Sequence, residues 1–328
     1  MKKILAILLA VLLLAGCGNT GAAPETTEAP TPTQSQEEAN VLKIMIVGNS
    51  HSNDTFWLLA DVFKDQLPEQ ELVLGIMYYS GCAVDRHIKH YTEKKAVYEY
   101  HYNVDGTWQT IKDAYLEDGL RHQAWDYVFM QAGRTDNDET LNLDGRRALE
   151  QIIADNVYGD TYKVCWLSTW PSPSDPTFFA PDYDPQPPAD WVTYLQKEYG
   201  HNTFAQFEKM VAQVKNNVVG DETYDKVIGA GAGIMYAHAT MGVPQLELWR
   251  DYTHLSDYGR LVAAYSFYTQ FTGNTVEAVN IEAVPANIRV RRAREKGDLI
   301  VTEEMKQVLI AAANYAKENP WTAFSENG

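Results

Sequence analysis

Ser50, Asp251 and His254 are the side chains of this 328-residue sequence whose types and spacing best fit one chemical reaction. Ser50 lies in the polar segment 48–54 (GNSHSND), and Asp251 and His254 are separated by two residues far downstream. A serine hydroxyl becomes a nucleophile when an imidazole accepts its proton and a carboxylate holds that imidazole in the right tautomer. The sequence therefore predicts Ser50 as nucleophile, His254 as base and Asp251 as the group that orients the base. From the residues alone, a turn serine without chemistry is the alternative.

The segments on either side of Ser50 predict a strand and a helix that would position it. Residues 41–47 are almost entirely apolar, which is typical of a parallel strand buried on both faces, and turn-forming residues follow at once. Helical spacing of apolar residues then begins, with Phe56, Leu59, Ala60 and Phe63. Ser50 is thus predicted at the carboxyl edge of a sheet, beside a helix N-terminus, where open α/β sheets place their sites.

Strands and helices are predicted to alternate along the rest of the chain. Apolar runs predict further strands at residues 71–79, 126–130, 162–169 and 226–229. Apolar residues at helical spacing between and after the strands predict helices, as in Leu149, Ile152 and Ile153, in Phe204, Phe207, Val211 and Val214, and in Leu261, Ala264, Tyr265 and Tyr268. This alternation predicts a three-layer α/β/α sandwich with a parallel sheet.

The order Gly-Asn-Ser at residues 48–50, then Gly81, then Asp251-x-x-His254 resembles the SGNH (GDSL-like) hydrolase superfamily. The closest resemblance is to an uncharacterised-domain branch, which carries Gly-Asn-Ser where better-known members carry Gly-Asp-Ser. The similarity spans residues 41–273. It implies a flavodoxin-like sheet of order 2-1-3-4-5, serine esterase chemistry through an acyl-enzyme, and no metal or cofactor. It also places the base on the loop before the last core helix, where His254 stands.

An ester hydrolase needs hydrogen-bond donors for the oxyanion that forms on attack. The backbone N–H groups of Ser50 and Gly81 match the first two donors of the family. The third donor is normally an asparagine after the third strand, in a Gly-x-Asn-Asp motif that this sequence lacks. Gln131 stands at that strand end and is the predicted donor, with Asn137 as a more distant alternative.

Two histidines are predicted to contact substrate. His51 adjoins Ser50, so it faces the substrate or serves the structure. The stretch from Gly81 to His87 resembles the branch's own Gly-Cys-x-x-x-x-His run and suggests that His87 lines the substrate site, with a structural histidine as the alternative. Asp85, His87 and His90 also have a spacing that metal ligands can have, but no third strong ligand accompanies the two histidines in the sequence.

The first 40 residues predict an export signal followed by a tether. Residues 1–16 combine two lysines with an apolar run too short to span a membrane, which indicates an export signal. The ending Leu-Ala-Gly-Cys resembles the bacterial lipobox and implies lipid attachment at Cys17, with an ordinary secretory signal as the alternative. Residues 17–40 are poor in large apolar side chains and predict a disordered tether. Residues 41–328 then form one domain, with a helical extension from about residue 275 that ends in a helix over residues 302–317.

Charge and loop composition bear on the substrate. Acidic residues outnumber basic ones by 44 to 27, for a net charge of −17, so nucleic acid is not expected as a partner and a neutral substrate is favoured. Residues 170–191 hold seven prolines and several aromatic residues. Such a stiff loop is either a surface on which sugar rings stack or a segment that its aromatics pin to the core.

These features predict a lipid-anchored, extracytoplasmic serine esterase that removes acetyl or another acyl group from carbohydrate. The membrane would be contacted through the Cys17 lipid only. A lipase or lysophospholipase of the same fold is one alternative. A non-catalytic glycan-binding lipoprotein is the other.

Overall fold

The apolar runs of the sequence form the strands of one central seven-stranded sheet. The computed structural model describes residues 41–104, 106–132, 141–285 and 298–325. The predicted export signal, Cys17, the predicted tether and Asn137 lie outside the described residues. The sheet consists of β1 (Val41–Gly48), β2 (Glu71–Tyr78), β3 (Tyr98–Val104), β4 (Thr107–Ala114), β5 (Tyr127–Gln131), β6 (Lys163–Ser168) and β7 (Lys226–Gly229).

The sheet is mostly parallel, and its order is β4-β3-β2-β1-β5-β6-β7. β1 pairs in parallel with β2 and β5, and β6 pairs in parallel with β5 and β7. β3 is antiparallel to both β2 and β4. The mixed α/β class is confirmed, but the expected order 2-1-3-4-5 of an all-parallel sheet is wrong, because a hairpin extends the sheet beyond β2.

The hairpin of β3 and β4 carries little apolar signal in the sequence. Most side chains of β4 are exposed, so this edge strand has no apolar run that would predict it. The sequence between the two strands is Asp105-Gly106, a dipeptide that favours tight hairpin turns. Gly106 has φ +77°, a left-handed conformation that glycine adopts without strain. The dipeptide Asp105-Gly106 was therefore the signal in the sequence from which β3 and β4 could have been predicted.

Helices flank both faces of the sheet, and each of the three helical runs predicted downstream of the first lies within a single helix. The segment behind Ser50 is divided into two helices, because α1 ends at Phe56 and α2 begins at Leu59. The helices are α1 (Ser50–Phe56), α2 (Leu59–Gln66), α3 (Val84–Thr92), α4 (Leu116–Arg121), α5 (Leu143–Asn156), α6 (Ala189–Tyr199), α7 (Thr203–Asn217), α8 (Gly231–Ala239), α9 (Gln245–Leu248), α10 (Asp257–Thr272) and α11 (Glu303–Glu318). Two short strands, β8 (Ala283–Pro285) and β9 (Asp298–Ile300), pair with each other.

β1 is buried on both faces because successive side chains of a strand point to opposite sides. Ile44 and Ile46 belong to one apolar core, with side chains from α1, α2, α8, α10 and α11. Met45 and Val47 belong to the other, with side chains from α3, α4 and α5. Among the described residues, no helix has the length and apolar character needed to cross a membrane.

The predicted last helix is confirmed as α11, with its start fixed by Thr302. The Thr302 side chain accepts a hydrogen bond from the Met305 N–H, which caps the first turn. Leu309 on its inner face has no exposed surface and belongs to the same core as α10. The C-terminal helix therefore packs on the layer that also contains α1.

We predict that Leu309→Ala lowers the free energy of unfolding by about 2 to 5 kcal/mol, because it removes a fully buried side chain and leaves a cavity. The neighbouring Gln307 is exposed, so Gln307→Ala in the same helix is the matched control and should change stability by less than about 0.5 kcal/mol. Urea denaturation midpoints measure both. Equal midpoints for the two variants would contradict this packing.

Candidate active site

Ser50 is the first residue of α1, directly after the turn that ends β1. The side chain of Asn49 caps this helix by accepting from the His51 N–H at 3.0 Å, and its Nδ2 donates to the Cys82 carbonyl at 2.9 Å. Gly48 is required for the tightness of the turn, since a Cβ there would lie 2.0 Å from Ser52 Oγ. The turn therefore holds Ser50 at the carboxyl edge of the sheet, as the sequence predicts.

Ser50, His254 and Asp251 are hydrogen-bonded in series. His254 Nε2 lies 2.8 Å from Ser50 Oγ, although the two residues are 204 positions apart. His254 Nδ1 lies 3.0 Å from Asp251 Oδ1 and 2.9 Å from Oδ2. This series has the geometry in which an imidazole can accept a hydroxyl proton while a carboxylate fixes its tautomer.

Asp251 is buried, and its surroundings favour the ionised form of its carboxyl group. Oδ1 also accepts from the backbone N–H groups of Thr253 at 2.9 Å and His254 at 2.8 Å. Burial by itself would raise the pKa of Asp251, but the hydrogen bond and charge of His254, together with these backbone N–H groups, hold the pKa below its ordinary value. The carboxylate is therefore a stable negative partner for the imidazole.

The loop that carries Asp251 and His254 is braced at several points. It is closed on itself by the Arg250 N–H, which donates to the His254 carbonyl at 2.9 Å. Trp170 Nε1 donates to the Thr253 carbonyl at 2.9 Å, and Tyr183 Oη donates to the Arg250 carbonyl at 2.7 Å. Both aromatic side chains come from the proline-rich segment 170–191.

The aromatic side chains of segment 170–191 are buried or half-buried, whereas most of residues 181–190 are exposed. A short 3₁₀ helix, Pro176–Phe179, interrupts it, and Phe178 is fully buried. Together with the contacts of Trp170 and Tyr183, this burial favours the interpretation in which the aromatics pin the loop. The loop supports the predicted base instead of presenting a row of exposed rings.

A further charged residue of the site, Asp54, was not predicted. Its side chain has no exposed surface, and Oδ1 accepts from Arg250 Nη1 at 2.9 Å and Arg260 Nε at 2.8 Å. Oδ2 accepts from the Leu255 N–H at 2.9 Å. Burial would raise the pKa of Asp54, but Arg260 and Arg250 hold it well below its ordinary value. Its signal in the sequence was the four-residue spacing from Ser50, which places both on one helix face.

Gly81 lies in the turn after β2, beside the Ser50 turn. The Tyr79 N–H donates to the Gly48 carbonyl at 3.3 Å, and the bond from Asn49 to Cys82 closes the other side. Gly81 is exposed with φ +60°, and a Cβ built there meets nothing within 4 Å. The Ser50 N–H is the first in its helix and has no preceding helical carbonyl to bond. Two N–H groups thus stand at the same edge as the Ser50 hydroxyl.

Gln131 lies behind the Ser50 turn and is fully buried. Its Oε1 accepts from the Asn49 N–H at 3.3 Å and from Ser52 Oγ at 2.9 Å, while its Nε2 donates to the Ala132 carbonyl. The orientation of the amide follows from Asn49, because a backbone N–H can only donate. These contacts favour a brace for the turn, and the oxyanion role of Gln131 stays a prediction.

His51 lies beside the base. Its Nε2 is 3.3 Å from the Thr253 carbonyl and 3.2 Å from Thr253 Oγ1, and its ring meets Trp170 edge-on at 5.0 Å. Burial and the nearby His254 lower the pKa of His51 to about 4. His51 is therefore neutral at physiological pH and packs against the loop that carries His254.

His87 is fully buried, which favours the structural alternative over a place in the substrate site. It lies on the inward face of α3, where its Nδ1 is 3.0 Å from Tyr98 Oη. Burial, with smaller contributions from His90 and Arg86, lowers its pKa to about 3. The structural alternative accounts for these contacts. The described residues contain no group of three or more His, Cys, Asp or Glu placed to hold a metal ion.

Fold and site together define an α/β protein with a hydroxyl, imidazole and carboxylate in series at the carboxyl edge of a mostly parallel sheet. Residues 43–170 match the family model described as Domain of unknown function (DUF4886), which is less than half of the chain. The matched region contains Ser50, Gly81 and Gln131 and ends before Asp251 and His254.

One solved structure with this fold is a DUF4886 family protein from Bacteroides uniformis ATCC 8492. Its TM-score with this chain is 0.68 at 20% sequence identity, and the match covers 87% of this chain and 97% of that one. At this identity the likeness shows the fold alone. No curated protein matches the sequence.

We predict that Gln131→Ala lowers the free energy of unfolding by about 2 to 4 kcal/mol, because the buried Asn49 N–H and Ser52 hydroxyl lose their acceptor. Activity per folded molecule should change by less than about tenfold. Urea denaturation and kcat, measured on the same preparation, separate stability from chemistry. A kcat loss of about 10² to 10³ with an unchanged midpoint would instead assign the Gln131 amide to the oxyanion.

The buried His87 predicts a specific dependence of stability on pH. An unfolded histidine takes up a proton below its ordinary pKa of 6.5, whereas folded His87 stays neutral down to about pH 3, so stability is lost as the pH falls between these values. By pH 5 this single group should cost about 2 kcal/mol relative to pH 7.5. His87→Gln, which keeps a polar partner for Tyr98, should lose about 2 kcal/mol less over that interval. Identical pH slopes in urea denaturation would contradict the burial of a neutral His87.

Proposed function

We propose that this protein is a serine ester hydrolase of the SGNH type that removes an acyl group, acetyl in the first instance, from carbohydrate at the cell surface. The observation that carries the proposal is the series from Ser50 Oγ to His254 Nε2 at 2.8 Å and from His254 Nδ1 to Asp251 at 2.9 Å. Its place at the carboxyl edge of the sheet adds support, because open α/β sheets use that edge for chemistry.

In the proposed reaction, His254 Nε2 accepts the Ser50 proton while Ser50 Oγ forms a bond to the ester carbonyl carbon. The oxyanion is stabilised by the N–H groups of Ser50 and Gly81. The sugar hydroxyl then leaves with the proton from His254, and an acyl-enzyme remains on Ser50. Water, deprotonated by His254, attacks that ester, and the carboxylic acid is released as Ser50 recovers its proton.

The substrate class is supported by charge and by the sequence before the domain. A net charge of −17 disfavours anionic substrates and is compatible with a neutral acylated sugar. The export signal in residues 1–16 and the lipobox ending at Cys17 support an extracytoplasmic protein held to the membrane by a lipid. Acylated carbohydrate is a class of ester that such a protein can meet there.

We predict that Ser50→Ala and His254→Ala each lower the turnover of p-nitrophenyl acetate by about four to six orders of magnitude, as removal of a member of a serine triad does. A fluorophosphonate probe should label the wild type and fail to label Ser50→Ala. Ser80→Ala is the matched control for labelling, since Ser80 is an exposed serine in the neighbouring turn. Wild-type-like turnover by Ser50→Ala would refute the hydrolase proposal.

The same preparation separates the alternatives. Release of acetate from acetylated oligosaccharides but not of long acyl chains from phospholipid supports the proposed substrate class, and the reverse result indicates a lipase. A folded wild type that neither reacts with the probe nor hydrolyses any ester, yet binds glycan, indicates a non-catalytic binding protein.

A further inference from the structure

Asp54 occupies a position from which it can act on the Ser50–His254–Asp251 series without touching substrate. It follows Ser50 by four residues on α1, so both side chains leave the same face of the helix. Its two oxygens bind Arg250, Arg260 and the Leu255 N–H, all from the loop with the predicted base or the helix after it. The nucleophile and the base are therefore connected through Asp54 by a second, fully buried contact.

The contacts of Asp54 continue into a chain of alternating charges. Arg250 Nε lies 3.9 Å from Asp251 Oδ2, and Arg260 Nη1 lies 3.7 Å from Asp257 Oδ1. In order, the chain runs Asp257, Arg260, Asp54, Arg250, Asp251 and His254. With His254 neutral, three carboxylates face two guanidinium groups. The proton that His254 accepts from Ser50 brings the chain to electrical balance.

Arg250 lies between the carboxylates of Asp54 and Asp251 and is closer to that of Asp54. Its Nη1 is 2.9 Å from Asp54, while its Nε is 3.9 Å from Asp251, which instead has contacts of 2.9 and 3.0 Å with His254 Nδ1. If the charge of Asp54 were absent, Arg250 would be attracted to Asp251 and would compete with the imidazole for it. Two unneutralised guanidinium groups would also oppose a positive charge on His254.

The other titratable groups around His254 do not replace the negative charge of Asp54 beside Arg250. The charged and titratable groups near it are His51 and Asp54 of α1, Arg250, Asp251 and Tyr252 of its own loop, and Asp257 and Arg260 of α10. Burial and the neighbouring His254 lower the pKa of His51 to about 4, so that side chain is uncharged in the neutral range.

We propose that Asp54 is a positioning residue whose negative charge neutralises Arg250 and so reserves Asp251 for the imidazolium that forms on His254. The proposal rests on the hydrolase function proposed above. It differs from a purely structural role, in which Asp54 would only hold the loop against α1 and its charge would have no effect on the proton affinity of His254.

The test compares Asp54→Asn with wild type in kcat, KM and the pH dependence of kcat/KM on p-nitrophenyl acetate. Asparagine keeps the shape and an acceptor oxygen but removes the charge. We expect kcat to fall by about 100-fold with little change in KM. We also expect the acid limb of the profile to move to lower pH by on the order of one unit, because protonated His254 is less stabilised.

Arg250→Gln tests for a shift of the acid limb in the opposite direction. It removes the guanidinium and leaves Asp54 to stabilise a protonated His254, so the acid limb should move to higher pH. Asp221→Asn is the matched control, since Asp221 also accepts from two arginines, Arg146 and Arg147. It lies outside the site and should leave kcat and the acid limb unchanged. If Asp54→Asn fails to fold, Arg250→Gln still tests the proposal, because an unmoved acid limb would show that the charge of Arg250 does not act on His254.

An acid limb that stays in place in both variants would overturn the proposal and leave Asp54 with a structural role. NMR titration of the His254 ring in wild type and Asp54→Asn separates this outcome from a failure of the proposed function. A downward shift of the titration midpoint in a protein without esterase activity or probe labelling would uphold the charge effect and reject the hydrolase. An unchanged midpoint in an active esterase would reject the charge effect alone.

Discussion

The carboxylate of Asp54 is buried without exposed surface between the guanidinium groups of Arg250 and Arg260. Removing one partner from such a buried cluster typically costs about 3 to 5 kcal/mol, because it leaves a charge that neither water nor protein compensates. α1, the loop after α9 and the start of α10 therefore cannot separate one at a time. Since Ser50 shares a helix face with Asp54, the same constraint maintains the 2.8 Å contact between Ser50 Oγ and His254 Nε2.

Much of the fold, and the meeting of Ser50, Asp251 and His254, could be predicted because they depend on local patterns and one rule of topology. β1 is recognisable because its side chains alternate between two apolar cores, which requires an unbroken apolar run in the sequence. Ile44 and Ile46 pack in one core, and Met45 and Val47 pack in the other. Loops at the carboxyl ends of parallel strands meet at one edge, so an early serine and a late histidine can be paired without knowledge of the packing. Asp251 and His254 are only three positions apart, so their side chains can make contact within one loop.

The remaining features depend on tertiary contacts that have no period in the sequence. β4 is an exposed edge strand, so its residues carry no apolar alternation, and the signal for it in the sequence is the dipeptide Asp105-Gly106. The amide of Gln131 could have faced either the oxyanion or the turn, and the choice depends on Asn49 and Ser52. His87 has the same sequence signature as a substrate-facing histidine, but α3 is rotated so that it meets Tyr98 in the core.

Access to Ser50 is unequal on its two sides, and the inequality matches the placement of the N–H donors. On one side, His51 packs edge-on against Trp170 and contacts Thr253, so rings and backbone close the approach. On the other, the turn at Gly81 is exposed, and even an added Cβ would meet no atom within 4 Å. In the proposed reaction, an ester carbonyl that approaches from the Gly81 side would bring its oxygen toward the N–H groups of Gly81 and Ser50 as its carbon nears Ser50 Oγ. The φ of +60° at Gly81 disfavours any side chain there, so backbone conformation, and not a lack of space, favours glycine at this position.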